Sequence, residues 1–122
     1  MSRKYERITN VQKLMLIKFL KKMAKEHRAR IWKAVAEHLR KSRRRKVEVN
    51  LSKINRYTSE GDVVVIPGKV LGAGFLEHKV TIAAFAYSES AKRKIIESGS
   101  RAITIEELVN ENPKGSGVKI II

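Results

Sequence analysis

The sequence predicts a single α/β domain whose basic N-terminal part is mainly helical. Three observations carry this. Residues 1–60 hold 19 Lys and Arg against 5 Asp and Glu, whereas residues 61–122 hold 8 against 7. Apolar residues recur at helical spacing up to about residue 57, then gather into short β-branched runs separated by turn and cap signals. A chain of 122 residues, 43% of them hydrophobic, suffices for one core and is short for two.

The elements follow in order. Thr9-Asn10 offers a helix cap, and the stretch to about Lys25 lacks Gly and Pro. At 100° per residue Leu16, Ile17, Phe19, Leu20, Met23 and Ala24 share one face, with Lys18, Lys21, Lys22 and Lys25 opposite. A second helix fits residues 29–41, with Ile31, Trp32, Val35, Ala36 and Leu39 on one side and Arg30, Lys33, Glu37 and Arg40 on the other. Asn50 is placed to cap a short helix from Leu51 to Tyr57.

Glu60-Gly61-Asp62 is a turn signal, and Val63 to Ile66 reads as a buried strand ended by Pro67-Gly68. A loop containing Gly72 and Gly74 follows, read as a tight hairpin-like connection to a second strand, Val80 to Phe85. Ser88 caps a helix ending near Gly99, and Ala102-Ile103 fits a short strand. Thr104 with Glu107 forms a capping box for a helix through about Glu111. A turn at Asn112-Pro113-Lys114-Gly115 leads to a last apolar strand, Val118 to Ile122. Strands without polar alternation call for burial on both faces.

A net charge of +15 on this length repels itself unless a polyanion neutralises it, so a nucleic acid is the expected partner. From Arg40 through Lys41, Arg43, Arg44, Arg45 and Lys46 only Ser42 is uncharged. Guanidinium forks match phosphate oxygens, and this run is internal rather than a tail, which favours phosphate contact over idle solvation. The Lys stripe of the first helix, together with Arg3, Lys4, Arg7, Arg28 and Arg30, joins it on charge alone. No helix-turn-helix, zinc-finger or zipper signal is present, and aromatics number seven, so RNA read by shape and phosphate is expected. Trp32, Phe19 and Phe85 belong to apolar faces; Tyr5 and Tyr57, beside basic residues, are the candidates for base stacking.

Catalysis finds little support. Zero cysteines exclude disulfides and thiolate metal sites, and nothing requires an oxidising compartment, which leaves the cytoplasm as the expected location. The loop from Gly68 to Gly74 lacks the Gly-Lys-Ser/Thr ending of a P-loop and precedes a strand; Lys69 and Lys79 could still touch phosphate from it. His27, His38 and His78 are scattered, and Ser52, Ser88 and Ser98 fit turns or caps. No metal and no cofactor are expected. A free RNA- or DNA-coating protein is the alternative reading, with a nuclease using His78 or His27 and a membrane-surface role for the first helix behind it.

Several segments together resemble the archaeal and eukaryotic large-subunit ribosomal protein family numbered eighteen, the "e" type, related in fold to bacterial large-subunit protein fifteen. They are Val49-Asn50-Leu51-Ser52-Lys53-Ile54 with Arg56, the stretch from Val63 through Pro67-Gly68-Lys69 to Gly72, Val80 to Ala84, and Asn112-Pro113 with Gly115. The resemblance spans nearly the whole chain and is nearer in size to archaeal members. It implies an irregular strand-strand-helix body of superhelix-like build, a basic N-terminal part lying on ribosomal RNA, neighbouring large-subunit proteins as partners, and no enzymatic activity. It further implies RNA contact for Lys53, Arg56 and Lys69, and backbone-geometry roles for Gly68, Gly72 and Gly74. One departure is Val11, where the family commonly has proline after Thr-Asn at the start of the helix.

Overall fold

The computed structural model describes residues 2–41 and 46–122, with the backbone alone for residues 2–10. Two helices come first, α1 (Ser2–His27) and α2 (Arg30–Lys41). A short strand β1 (Glu48–Asn50) and helix α3 (Leu51–Tyr57) follow. The remainder runs β2 (Val63–Leu71), β3 (Thr81–Tyr87), α4 (Glu89–Glu97), β4 (Arg101–Thr104), α5 (Ile105–Glu111) and β5 (Val118–Ile120).

The described strands form one sheet in which every pairing is parallel. β2 is its centre. One edge of β2 pairs with β3, which pairs in turn with β4; the other edge is shared, with β5 alongside Val63 to Val65 and β1 alongside Lys69 to Leu71.

The unbroken apolar strands are covered on both faces, as their composition requires. Val65, Ala83 and Ile103 point into a core built with Leu16, Ile17 and Leu20 of α1, Trp32, Val35 and Leu39 of α2, and Leu108 of α5. Their neighbours Val64, Ile66, Ile82 and Ala84 point the other way, onto Leu51 and Ile54 of α3 and Ala91 and Ile95 of α4. The period-two alternation of the pleat thus divides one run of Val and Ile between two cores. Trp32 is fully buried, while Phe19 and Phe85 lie partly buried at the margin of the first core.

Both capping signals of the second half are realised. The Ser88 hydroxyl accepts from the Ala91 N–H at 3.1 Å, and Thr104 with Glu107 forms the reciprocal box, each of its two bonds 3.1 Å long.

Five expectations need correction, the last of them the connection from β2 to β3. α1 begins at Ser2, so Thr9-Asn10 and Val11 lie inside it rather than at its start. No Gly or Pro interrupts the chain between Arg3 and Lys25, so nothing in the residues before Thr9 stops the helix from extending. β2 runs through Pro67-Gly68 instead of ending there. Its pairing with β3 shifts register between Ile66 and Lys69, a bulge that accommodates the missing proline N–H. Asn50 occupies the cap position of α3 but makes no capping bond; its Oδ1 accepts from the Ala73 N–H at 3.2 Å instead. β5 ends at Ile120, two residues early, although the Ile121 N–H still reaches the Val65 carbonyl at 3.1 Å.

The connection from β2 to β3 is not hairpin-like, because the two strands are parallel and the chain must return the full length of the sheet. It does so as an extended strap laid along α3. The Ser52 N–H donates to the Ala73 carbonyl (3.0 Å), the Glu77 N–H to Asn55 Oδ1 (2.8 Å), and the Lys79 N–H to Glu60 Oε2 (2.8 Å). Thr58 Oγ1 and His78 Nε2 lie 2.7 Å apart, and the Thr58 hydroxyl is also 2.6 Å from the Ile54 carbonyl. α3 therefore serves as the crossover's support, and His78 has a structural partner. At Gly68, Gly72 and Gly74 an added Cβ would collide with Val47, Ser90 and Ser52 respectively, which accounts for glycine at all three.

Candidate nucleic-acid interface

Every described candidate cation is exposed: Lys18, Lys21, Lys22, Lys25, Arg28, Arg30, Arg40, Lys41, Lys46, Lys53, Arg56, Lys69 and Lys79. The side chains of Arg3, Lys4, Tyr5 and Arg7, and all of Arg43, Arg44 and Arg45, lie outside the described residues. Exposure alone does not make a site; what the fold adds is which charges it brings together.

Among the described residues, a gathering of cations lies at the junction of α1 and α2. Their apolar faces pack on each other and on the sheet, which turns the polar faces outward side by side. Between them runs a groove of about 590 Å³, floored by Ala24 and Ala29 and edged by Lys21, Lys25, Arg28, Arg30, Lys33 and Glu37. Arg28 makes the corner with φ of +52°, and the Ala29 N–H reaches back to the Ala24 carbonyl at 3.0 Å. This is the six-to-one bond of a Schellman ending, a left-handed position that glycine usually fills. An arginine there costs about 1 kcal/mol of backbone strain and adds a charge at the head of the groove.

One carboxylate stands among these cations. Glu37 accepts from Arg40 Nη2 at 3.0 Å. The hydrogen bond to Arg40 and that residue's charge, with smaller help from Lys21 and Lys41, hold its carboxyl below its ordinary value against the opposing effect of burial. It stays ionised and fixes Arg40 along the helix surface. Local charge density does not single out Lys33; the three-and-four-residue spacing that puts it on the polar face of α2 with Arg30 and Glu37 does.

The other candidates are dispersed. Lys46 and Lys69 edge a separate hollow of about 280 Å³ beside the β2 bulge, with Pro67 and Phe85 in its wall. Lys53 Nζ donates to the Ile122 carbonyl at 2.6 Å, so part of its capacity goes to holding the residues after β5. Arg56 and Tyr57, the latter 56% exposed, lie at the end of α3. Lys79 lays its stem beside Gly99 and belongs to neither cluster. Among the described residues no helix is long and apolar enough to cross a membrane; Leu16, Ile17 and Leu20 of α1 are spent on the core, while Val11, Leu14 and Met15 of the same helix are exposed.

The arrangement offers many exposed cations held at fixed spacing by two packed helices, which suits binding a phosphate backbone. A family model described as "Ribosomal protein 60S L18 and 50S L18e" matches residues 1–122. Proteins named "Large ribosomal subunit protein eL18" are 57% identical in Methanococcus maripaludis over 113 residues, covering 93% of this chain and 94% of that one. The same-named protein of Pyrobaculum aerophilum is 51% identical over 114 residues, 93% of either chain, and that of Methanoregula boonei 48% identical over 113 residues, again 93% of either. A match over the whole length, at identities near one half, shows that the chain belongs to the family of 60S L18 and 50S L18e ribosomal proteins.

Proposed function

We propose that the chain works as a structural constituent of the large ribosomal subunit, in the cytoplasm, that holds ribosomal RNA by its phosphates. Its membership of a ribosomal protein family makes it a structural component and not an enzyme. In this reading the basic part, residues 1–60, lies on RNA, and the nearly neutral α/β body is left for packing and for protein neighbours. The observation that carries the RNA reading is the α1–α2 groove, where Lys21, Lys25, Arg28, Arg30 and Lys33 face one hollow with a single carboxylate already paired to Arg40. Lys18 and Lys22 extend the charge along α1, and Arg40 and Lys41 carry it to the end of α2, with Arg43, Arg44, Arg45 and Lys46 following in sequence.

Such a binder releases counterions. Neutralising about eight phosphates gives a log–log slope of affinity against salt of roughly −6 to −7. Lys21→Gln, Lys25→Gln and Lys33→Gln combined should make that slope shallower by about 2 to 3 on deproteinised large-subunit RNA. An unchanged slope would remove the groove from the interface. Co-sedimentation of the native chain with large subunits at moderate salt tests the wider assignment, and duplex DNA competing equally with structured ribosomal RNA would return it to a general nucleic-acid binder.

A further inference from the structure

The strap between β2 and β3 ends its glycine-rich stretch on Phe75, which is 69% exposed and belongs to neither core. An exposed ring on a loose loop would mean little, but this one is fixed. On one side Gly74, at φ of +90°, backs onto Ser52 so closely that a Cβ would lie 2.6 Å from the Ser52 Cβ. The Ala73 carbonyl and N–H are bound to the Ser52 N–H and to Asn50 Oδ1. On the other side Lys94 of α4 donates from Nζ to the carbonyls of Gly72 (2.7 Å) and Gly74 (3.1 Å). The same ammonium lies 4.2 Å from the centroid of the Phe75 ring. With two of its three hydrogens on carbonyls, it has the third for the ring face.

Lys94 thus holds one face of the ring and leaves the other to solvent. None of the residues next to Phe75 in the chain is a second exposed large hydrophobic. Ala73 and Glu77 flank the ring exposed, and Leu76 turns inward toward the second core. Arg56, one turn beyond Ser52 on α3, is exposed and pairs with no carboxylate among the described residues. A protein partner seeks a cluster of apolar residues depleted in charge, which this surface lacks. A nucleobase needs one rigid aromatic face and a cation for its phosphate; Phe75 supplies the face, and Arg56 lies one turn along α3 from Ser52, against which Gly74 packs.

We propose that Phe75 is a stacking platform for one unpaired base of the bound RNA, with the adjoining phosphate held by Arg56. The proposal rests on the RNA-binding reading and adds to it a contact that is not phosphate recognition alone. It is sequence-tolerant, because every base has a π-face.

The test compares the full-length chain with its Phe75→Ala, Phe75→Leu and Phe75→Trp variants on two probes of equal length, single-stranded oligoadenylate and a fully paired RNA duplex. The ring contributes to neither core, so the variants should keep the wild-type melting temperature. Phe75→Ala and Phe75→Leu should weaken the single-strand complex about ten-fold and leave the duplex complex nearly unchanged. Phe75→Trp should retain affinity, and its added fluorescence should be quenched by the single strand. If wild type binds both probes and Phe75→Ala matches it on both, the platform is refuted while the phosphate reading stands. If wild type binds neither probe at moderate salt, both fall. Unchanged RNA affinity with loss of incorporation into large subunits would assign the ring to a neighbouring protein and overturn the proposal.

Discussion

The indole N–H of Trp32 donates to the Pro113 carbonyl at 2.6 Å, joining α2 to the turn that follows α5. Trp32 has no exposed surface, so this bond keeps its one polar atom from being buried unsatisfied. The partner carbonyl sits in the Asn112-Pro113-Lys114-Gly115 turn, which the Gly115 N–H closes onto the Asn112 carbonyl at 2.9 Å. A side chain of the basic half thereby fixes the turn that aims β5 at the sheet.

Trp32→Phe removes the bond and part of a ring from a packed core. It should destabilise the fold by about 2 to 3 kcal/mol, read as a lower urea midpoint at an unchanged slope. Loss of less than about 0.5 kcal/mol would mean that neither bond nor packing is needed.

Gly68→Ala places a methyl against the Val47 backbone, where β1 approaches the bulge of β2. Backbone atoms cannot swing aside as a flexible side chain does, so a cost of about 2 kcal/mol or more is expected. Thermal unfolding of the variant beside wild type is the check, and an unchanged midpoint would show that β1 can retreat freely.

Arg28→Gly separates strain from charge. Glycine relieves the φ of +52° at the end of α1, so stability should rise by up to about 1 kcal/mol. Affinity for RNA should fall, with the salt slope shallower by about 0.7 to 0.9 for one lost phosphate contact. Parallel melting and binding titrations would show opposite signs; a variant both more stable and equally tight would mean that Arg28 contacts no phosphate.

Acid should loosen the junction of the first turn with the last strand. Asp62 accepts from Lys119 Nζ at 2.8 Å and from the Ser59 N–H at 2.9 Å, and these two hydrogen bonds hold its carboxyl below its ordinary value. Glu37 beside Arg40 and Glu111 beside Arg101 are lowered in the same sense. A folded value below the unfolded one means that the stabilisation is complete above about pH 4 to 5 and is lost as pH falls through the folded value. Asp62→Asn should therefore flatten part of the decline in melting temperature between neutral pH and about pH 3. A decline identical to wild type would show that the Lys119 pair contributes nothing measurable, as exposed pairs often do.

The sequence by itself determined most of the elements, because each rests on interactions within a few residues. α2 follows from its apolar spacing, α4 and α5 from the caps at Ser88 and Thr104, and the two-sided burial of β2 and β3 from the absence of polar alternation. The family, too, was legible in the segments around Asn50 and Pro67-Gly68. The tertiary structure alone decided what depends on residues distant in the chain. Strand β1, with only Val49 buried, exists because β2 offers an edge beside the bulge. Asn50 gives up its cap to hold the strap, and the parallel pairing of β2 with β3 turns that strap into a crossover along α3, which no spacing in Gly72-Ala73-Gly74 reveals. Lys33 joins the groove, and Phe75 stands fixed on Lys94, only once helices and strap are packed, because charge density and hydrophobicity are local properties of sequence and convergence in space is not.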